Sequence, residues 1–385
     1  MKRNRYLLYA ISCLQGMIFY GPIATLYRQA AGVSVFQITL IESISLALCI
    51  ALEIPWGLAA ERIGYKTTMV LCSALYLVSK VVFWRAAGFG GFLAERVLLA
   101  VVMAGLSGVD VSILCLSCRP EDCHRAMSVY DLLNTAGLLA ASLVYARFVG
   151  QDYRMAALLT VCSYAAALLL TLPLREVRAP GRRKPAARDF AAALRAAAGD
   201  RGLPAFLLAT ALLGETHQTI TVFLSQLQYV RAGLQSAAIG YLYTGVTLAG
   251  LLGGFSARAA RRLGERRLAA LLFGAAAAAC LTLAGTASAV WSAVAVLVLR
   301  AAFSLYQPLQ AAVQNRRVTG PNRATALSVN SAFCSSVGVG ANLAFGALAQ
   351  RRLQSAMLLG AALCLAGLWL LRASGVLRPA RDPRR

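Results

Sequence analysis

Residues 92–116 read FLAERVLLAVVMAGLSGVDVSILCL, an almost uninterrupted apolar run of 25 residues. About 20 such residues are what an α-helix needs to cross the hydrocarbon core of a bilayer. A lone strand there would leave its backbone polar groups unpaired, and the run is too long and too uniform for a barrel strand. Working outward with a window of about 19 residues, similar runs precede it at Tyr6–Tyr27, Val35–Trp56 and Thr67–Trp84 and follow it at Ala126–Phe148 and Met155–Leu174. After a gap come Leu203–Leu224, Ala237–Ala257, Leu268–Thr286, Val290–Val313, Ala324–Ala349 and Ser355–Leu371. The expected fold is therefore an all-α membrane protein with twelve transmembrane helices. The first run follows Lys2, Arg3 and Arg5 and is too long for a signal-peptide core, so it reads as a retained span.

Composition agrees. Of 385 residues, 59% are hydrophobic and 14% charged, too apolar for a water-soluble domain. The net charge of +23 is spread in short runs between apolar stretches, which excludes the single basic face of a nucleic-acid binder. If the amino terminus is cytoplasmic, predicted inner segments hold 28 Lys and Arg and outer loops hold 7. That bias is the positive-inside pattern, and it predicts both termini on the cytoplasmic side. Abundant Arg and Ala with few Lys point to a bacterial plasma membrane. The ten cysteines fall mostly within apolar runs, the usage of a small hydrophobe and not of a disulfide framework.

The only long hydrophilic interruption, 175–202, contains Arg182-Arg183-Lys184 after Pro180-Gly181. It divides the chain into an N-terminal six-helix half (1–174), a basic cytoplasmic linker (175–202), a C-terminal six-helix half (203–371) and a cytoplasmic tail (372–385). Within the linker, 190–198 can form a short amphipathic helix or remain a solvated connector; the Arg- and Pro-rich tail reads as disordered. The loop after the second span, Gly57 to Lys66, has a partner after the eighth, Arg261-Arg262-Leu263-Gly264-Glu265-Arg266, with Gly64 and Gly264 separated by 200 residues. Arg96 and Arg300, in the fourth and tenth spans, are separated by 204. Two features at nearly one spacing indicate a duplicated unit.

With these features the chain resembles the major facilitator superfamily. Gly57, Arg62, Gly64 and Lys66 match the family's loop motif G-x-L-a-D-R-x-G-R-K, and Arg96 with Gly105 resembles its fourth-span motif. Glu61, Ala59 and Tyr65 depart from the loop motif, and the surroundings of Asn134-Thr135-Ala136-Gly137 lack the fifth-span pattern of the family's drug antiporters. The resemblance implies two pseudo-symmetric halves, alternating access, and a central cavity lined by the first, fourth, seventh and tenth helices. It also implies a gating role for Gly57, Glu61, Arg62, Gly64 and Lys66. Physically, such glycines allow a tight turn between helix ends, and the charges can hold one side shut; a plain topology anchor is the simpler alternative.

Ionisable groups inside spans are costly and so are functional candidates. Helical spacing places Glu42, Ser45, Cys49 and Glu53 on one stripe of the second span and Arg96, Met103, Ser107 and Asp110 on one stripe of the fourth. The tenth offers Arg300, Ser304 and Gln307; the seventh Glu215, Gln218 and Thr219; the first Gln15 and Phe19. Solute-binding candidates are therefore Gln15, Phe19, Arg96, Met103, Ser107, Gln218, Arg300, Ser304 and Gln307. Proton-carrying candidates are Glu215, Asp131 and Glu42, because a carboxyl in apolar surroundings holds its proton closer to neutral pH. Each charge also has a structural reading, as a packing pair for Arg96 and Arg300 or an interfacial salt bridge for Glu53 and Asp110. Lys80 is expected to snorkel outward, and His217 to be a hydrogen-bonded structural histidine on a face different from Glu215. Pro22 and Pro308 mark expected bends.

Cys115, Cys118, Cys123 and His124 fit no standard zinc spacing, so no metal or cofactor is expected. The chain has only two histidines and neither H-E-x-x-H nor G-x-S-x-G, so no catalytic residues are assigned and an enzyme is not expected. The reading is a secondary transporter of a small solute, proton-coupled and monomeric in the bilayer. A drug or metabolite efflux antiporter, or a non-transporting receptor or lipid-handling protein, remains the alternative.

Overall fold

The computed structural model describes residues 2–177, 194–195, 199–200, 202–318 and 323–377, and leaves aside the side chains of residues 2, 54, 57–62, 120 and 323–324. The expectations for the linker helix at 190–198 and the tail at 378–385 lie outside the described residues, as do the side chains of Glu61 and Arg62. Among the described residues every regular element is helical. The membrane helices are α1 (Arg3–Ala30), α2 (Val35–Ile63), α3 (Tyr65–Arg85), α4 (Gly88–Leu116), α5 (Cys123–Val149) and α6 (Tyr153–Thr171). They continue with α7 (203–231), α8 (Ser236–Leu263), α9 (Glu265–Gly285), α10 (Ala289–Arg317), α11 (Arg323–Arg351) and α12 (Leu353–Ser374). Among the described residues eleven of these are long and apolar enough to cross a bilayer. The twelfth, α7, is diluted by Glu215, His217, Gln218, Gln226 and Gln228, which is why it reads weakest on apolar content.

Contacts group residues 1–182 with 234–247 into one compact unit and residues 183–233 with 248–385 into another. In the first unit, Ser142 Oγ of α5 lies 2.9 Å from Thr244 Oγ1, which helps place the start of α8 there.

Several helices are interrupted, and the interruptions have chemical support. Helix α1 runs as Lys2–Gly16, loses its regular hydrogen bonds over residues 17–20, and resumes through a 3-10 turn at Gly21–Ile23 and helix Ala24–Ala30. The bend expected at Pro22 is thus a full break. Helix α6 repairs it: Ser163 Oγ donates to Leu14 O (2.6 Å), Tyr164 Oη donates to Gln15 O (2.7 Å), and Thr160 Oγ1 accepts from Phe19 N (3.0 Å). Without water in hydrocarbon, backbone groups freed by a break need such partners. On its other side α1 approaches α5 so closely that a Cβ at Gly16 would overlap Asn134 O and one at Gly137 would overlap Cys13 O. Small residues at a crossing are how membrane helices gain contact without a hydrophobic driving force. Helix α4 breaks at Ser107–Gly108, where Gly108 is left-handed (φ 78°). Helix α7 widens into a π-turn at Thr219–Leu224 and α5 into another at Tyr145–Val149.

The duplication is visible in the backbone. Gly64 (φ 92°, ψ 152°) precedes α3 and Gly264 (φ 78°, ψ 143°) precedes α9, and both helices are 21 residues long. This conformation is open essentially to glycine alone. At Gly64 the Glu176 carboxylate accepts from the Lys66 backbone N–H at 3.2 and 3.3 Å. In the second unit the turn is held by a side-chain pair, Arg316 Nη2 to Glu265 Oε2 at 2.6 Å.

The expectation for the cysteines fails at two positions. Cys115 and Cys123, on either side of the short α4–α5 connection, have Cα atoms 4.9 Å apart and are joined as a disulfide. The reading of the cysteines as small hydrophobes does not hold for these two, because the tight turn at 117–122 brings them together.

Alanine at Gly64 both strains the backbone and meets Glu176, so Gly64→Ala should lower stability in detergent by about 1–3 kcal/mol. Gly274→Ala, on α9 with open space around it, should leave stability equal or higher. Thermal unfolding of the two variants checks this.

Candidate functional site

In the first unit, α2 packs along α4, and the Arg96 guanidinium meets the Glu42 carboxylate (Nη2 to Oε2, 2.5 Å). Two of the residues singled out in the sequence are thus brought together as an ion pair, partly buried (18% and 13% exposed). One helical turn and more along α4, Met103 and Ser107 stand on an exposed face beside the Gly108 break, with Met103 52% exposed. Gln15 and Phe19 flank the break in α1, their backbones held by α6 as described; their side chains are half-buried. Asp131 is exposed on α5. Asp110 is not the interfacial salt bridge expected: its carboxylate accepts from Tyr130 Oη (3.1 Å) and from the Val111 N–H (2.7 Å) at the restart of α4.

A second cluster in this unit escaped the sequence reading. Glu95 is 1% exposed and faces both Arg28 (3.6 Å) and Lys80 (3.8 Å), themselves 4% and 3% exposed. Lys80 donates to Tyr20 Oη at 2.9 Å and lies over the rings of Tyr76 and Tyr164, 4.9 and 5.3 Å from their centroids. Arg28 lies over Phe83 and Phe92. Lys80 therefore does not snorkel outward. Its ammonium is enclosed by one carboxylate, one phenol and aromatic faces, which together replace hydration. The signal in the sequence was the pair Glu95-Arg96: adjacent helix positions point apart, so a charge of each sign on one span requires partners on two different neighbours.

In the second unit, the face of α7 carrying Glu215 and Thr219 turns toward α11. Asn342 Nδ2 donates to Glu215 Oε2 (3.3 Å), and Thr219 Oγ1 donates to Asn342 Oδ1 (2.9 Å). Gly338, one turn earlier on α11, leaves room for the Glu215 carboxylate, which a Cβ there would push aside. Gln218 is exposed next to the π-turn. His217 points elsewhere, as its spacing from Glu215 predicts. It stacks on Phe303 (centroids 4.2 Å apart, planes 10° apart), and its Nε2 lies 3.3 Å from Arg300 Nη1. Arg300 also presses its guanidinium onto Gly250 of α8, where any side chain would collide with it. Ser304 is 4% exposed and donates to Arg300 O (2.8 Å), so its hydroxyl serves its own helix, while Gln307 is exposed one turn on. Asn342, Phe303, Gly250 and Gly338 are the members of this site that the sequence analysis did not single out as such.

A sequence model described as Major Facilitator Superfamily matches residues 6–341. The chain belongs to that superfamily. Solved structures with the same fold include the nucleoside transporter NupG, at 15% identity and TM-score 0.81, covering 97% of this chain and 99% of that one. A bacterial homolog of the human lysosomal transporter Spinster, inward-facing and unoccupied, gives 19% identity and TM-score 0.72, covering 97% and 93%. A D-xylose–proton symporter gives 12% and 0.74, covering 94% and 96%. No curated protein matches the sequence. The superfamily assignment makes this a membrane transporter and not an enzyme, and at these identities the likeness carries the fold alone.

The buried trio gives a stability test. Glu95→Gln leaves two enclosed cations facing a neutral amide and should cost about 3–5 kcal/mol. Adding Lys80→Met to it should recover part of that loss. Thermal unfolding of both variants reads the coupling, and strictly additive losses would contradict the pairing.

Proposed function

We propose that this transporter is a secondary active carrier of a small polar or charged solute, driven by protons and working by alternating access of two six-helix halves, 1–174 and 203–371, joined by the 175–202 linker. It is oriented with both termini in the cytoplasm of a bacterial cell, on the strength of the basic-residue bias. The observation that carries the reading is the Glu215–Asn342–Thr219 chain beside the π-turn of α7. A carboxyl that faces a neutral amide can gain or lose a proton and keep its hydrogen bond, because the amide offers a donor on one side and an acceptor on the other. The adjoining π-turn supplies a local irregularity of the kind that functional helices carry. In this reading Glu215 holds the proton, with Asp131 and Glu42 as further proton-carrying candidates.

Arg300 and Arg96 are proposed as the charges, one in each half, that engage an anionic or polar group of the solute, with Gln15, Phe19, Met103 and Ser107 as further binding candidates in the first half and Gln218, Ser304 and Gln307 in the second. His217, stacked on Phe303, stands 3.3 Å from Arg300 Nη1 and helps fix the guanidinium, which lowers the entropy cost of presenting it. The segment from Gly57 to Lys66, which the structure forms as the end of α2, the turn at Gly64 and the start of α3, is proposed as the gating element, with Gly64, Lys66 and Glu176 as its described contacts.

The test is uptake into proteoliposomes with an imposed pH gradient, after a thermal-shift screen against metabolite and drug panels has supplied a solute. The wild type should accumulate that solute only with the gradient. Glu215→Gln should abolish gradient-driven accumulation while preserving exchange of solute for solute, and Arg300→Ala should weaken binding. Accumulation indifferent to any pH gradient contradicts proton coupling; saturable binding without flux contradicts transport.

A further inference from the structure

At one end of the second unit, α9 begins with Glu265-Arg266-Arg267, α10 ends with Arg316-Arg317, and α12 ends near Arg372. After α12 the chain turns at Gly375 (φ 65°) and tucks Leu377 back beneath the helix ends, where it is 7% exposed. This produces two adjoining crevices. The one of about 500 Å³ is edged by Arg316 and Arg317, which already face the carboxylates of Glu265 at 2.6 Å and Asp200 at 3.3 Å, and it shares Arg266, Arg267 and Leu377 with its neighbour. Asp200 is well suited to that pairing, since the Gly202 backbone N–H, followed by Leu203 and Arg317, holds its carboxyl below the ordinary range.

The other crevice, of about 400 Å³, is different. Its rim is Arg266, Arg267 and Arg372, and its floor is Ala270, Leu368 and Leu371. Among the described residues no carboxylate lies within ion-pairing distance of those three arginines. Two of them sit on the first turn of α9, where the helix dipole opposes positive charge. Three cations are thus gathered on one rim, two of them where the backbone disfavours positive charge, with no ion pair to any of the three among the described residues. Leu271 and Trp369, the neighbours in sequence of two lining residues, are 59% and 68% exposed, as on a surface that meets lipid.

We propose that this crevice between α9 and α12 is a binding site for the head-group phosphate of an anionic phospholipid of the inner leaflet, with Arg266, Arg267 and Arg372 on the phosphate and Ala270, Leu368 and Leu371 along the first acyl carbons. A guanidinium rim above an apolar floor matches a phospholipid at the depth where its charge meets its chains, and basic pockets between membrane helices are suited to such head groups. The assignment to the inner leaflet rests on the orientation proposed above; the binding itself does not.

The test compares two triple variants of equal charge change. Arg266→Gln/Arg267→Gln/Arg372→Gln empties the crevice rim. Arg258→Gln/Arg261→Gln/Arg262→Gln removes three neighbouring arginines of α8 that line neither crevice. Purified protein in detergent is titrated with phosphatidylglycerol, with phosphatidylcholine as the neutral lipid, and binding is read by native mass spectrometry. The crevice triple should bind phosphatidylglycerol roughly 100-fold more weakly than wild type, about fivefold for each arginine, while the α8 triple should lose at least tenfold less than that. Equal losses in both triples would mean a diffuse attraction of the whole basic face and overturn the site. Displacement of the lipid by millimolar inorganic phosphate would also overturn it, in favour of a free phosphate ion. If the crevice triple does not fold, the single Arg372→Gln variant, at an exposed helix end, should still show about a fivefold loss; an unchanged affinity there sinks the proposal. In detergent no leaflet exists, so a wrong orientation leaves these results intact and is detected separately by reporter fusions at the carboxyl end.

Discussion

The constraint on which the structure depends is that hydrocarbon offers no hydrogen bonds. Helices answer it over most of the chain, but α1, α4, α5 and α7 all depart from regular α-helix within their spans. Each departure releases backbone groups that the lipid cannot satisfy. In α1 the solution is a column of hydroxyls on α6, Thr160, Ser163 and Tyr164, aimed at the break. Those residues look like minor polar impurities in an apolar sequence, and their role appears only when the partner helix is seen to be broken. The same economy governs charge. Arg96 has Glu42, Glu95 has Lys80 and Arg28, and Arg300 has His217, each within its own compact unit.

The two units use the duplicated plan differently. The glycine turns before α3 and α9 share a backbone conformation, because a sharp reversal between packed helix ends demands positive φ whatever the flanking residues are. The clamps on those turns have diverged: Glu176 holds the first through a backbone N–H, while Arg316 and Glu265 hold the second through side chains. The intramembrane charges have diverged as well. The first unit encloses five ionised groups in two clusters, whereas the second pairs Glu215 with an amide and Arg300 with an imidazole. The proposed coupling is centred on the second arrangement because an amide can keep its hydrogen bond to Glu215 in either protonation state.

Span number and helical class were legible in the sequence because apolar run length answers directly to bilayer thickness, and the repeat was legible because Gly64 and Gly264 are fixed by backbone geometry. The Glu42–Arg96 pair was half legible: both were singled out, but spacing within a helix shows which face a residue occupies, not which neighbour it meets. For the same reason Lys80 was misread. Near a helix end a lysine ordinarily reaches water, and only the aromatic enclosure by Tyr20, Tyr76 and Tyr164, contributed by three separate helices, holds it inside. Asn342 was not singled out in the sequence, because its connection to Glu215 depends on the crossing with α7 and on Gly338 leaving room for the carboxylate.

The proposed topology requires that the turns at Gly64 and Gly264 open on one side of the bilayer. Substituted-cysteine labelling in a cysteine-depleted background, with Tyr65→Cys and Arg262→Cys probed in intact cells and in inverted vesicles, measures this directly. Both positions should react with a membrane-impermeant reagent only in inverted vesicles. Reaction of the two from opposite sides would contradict the account.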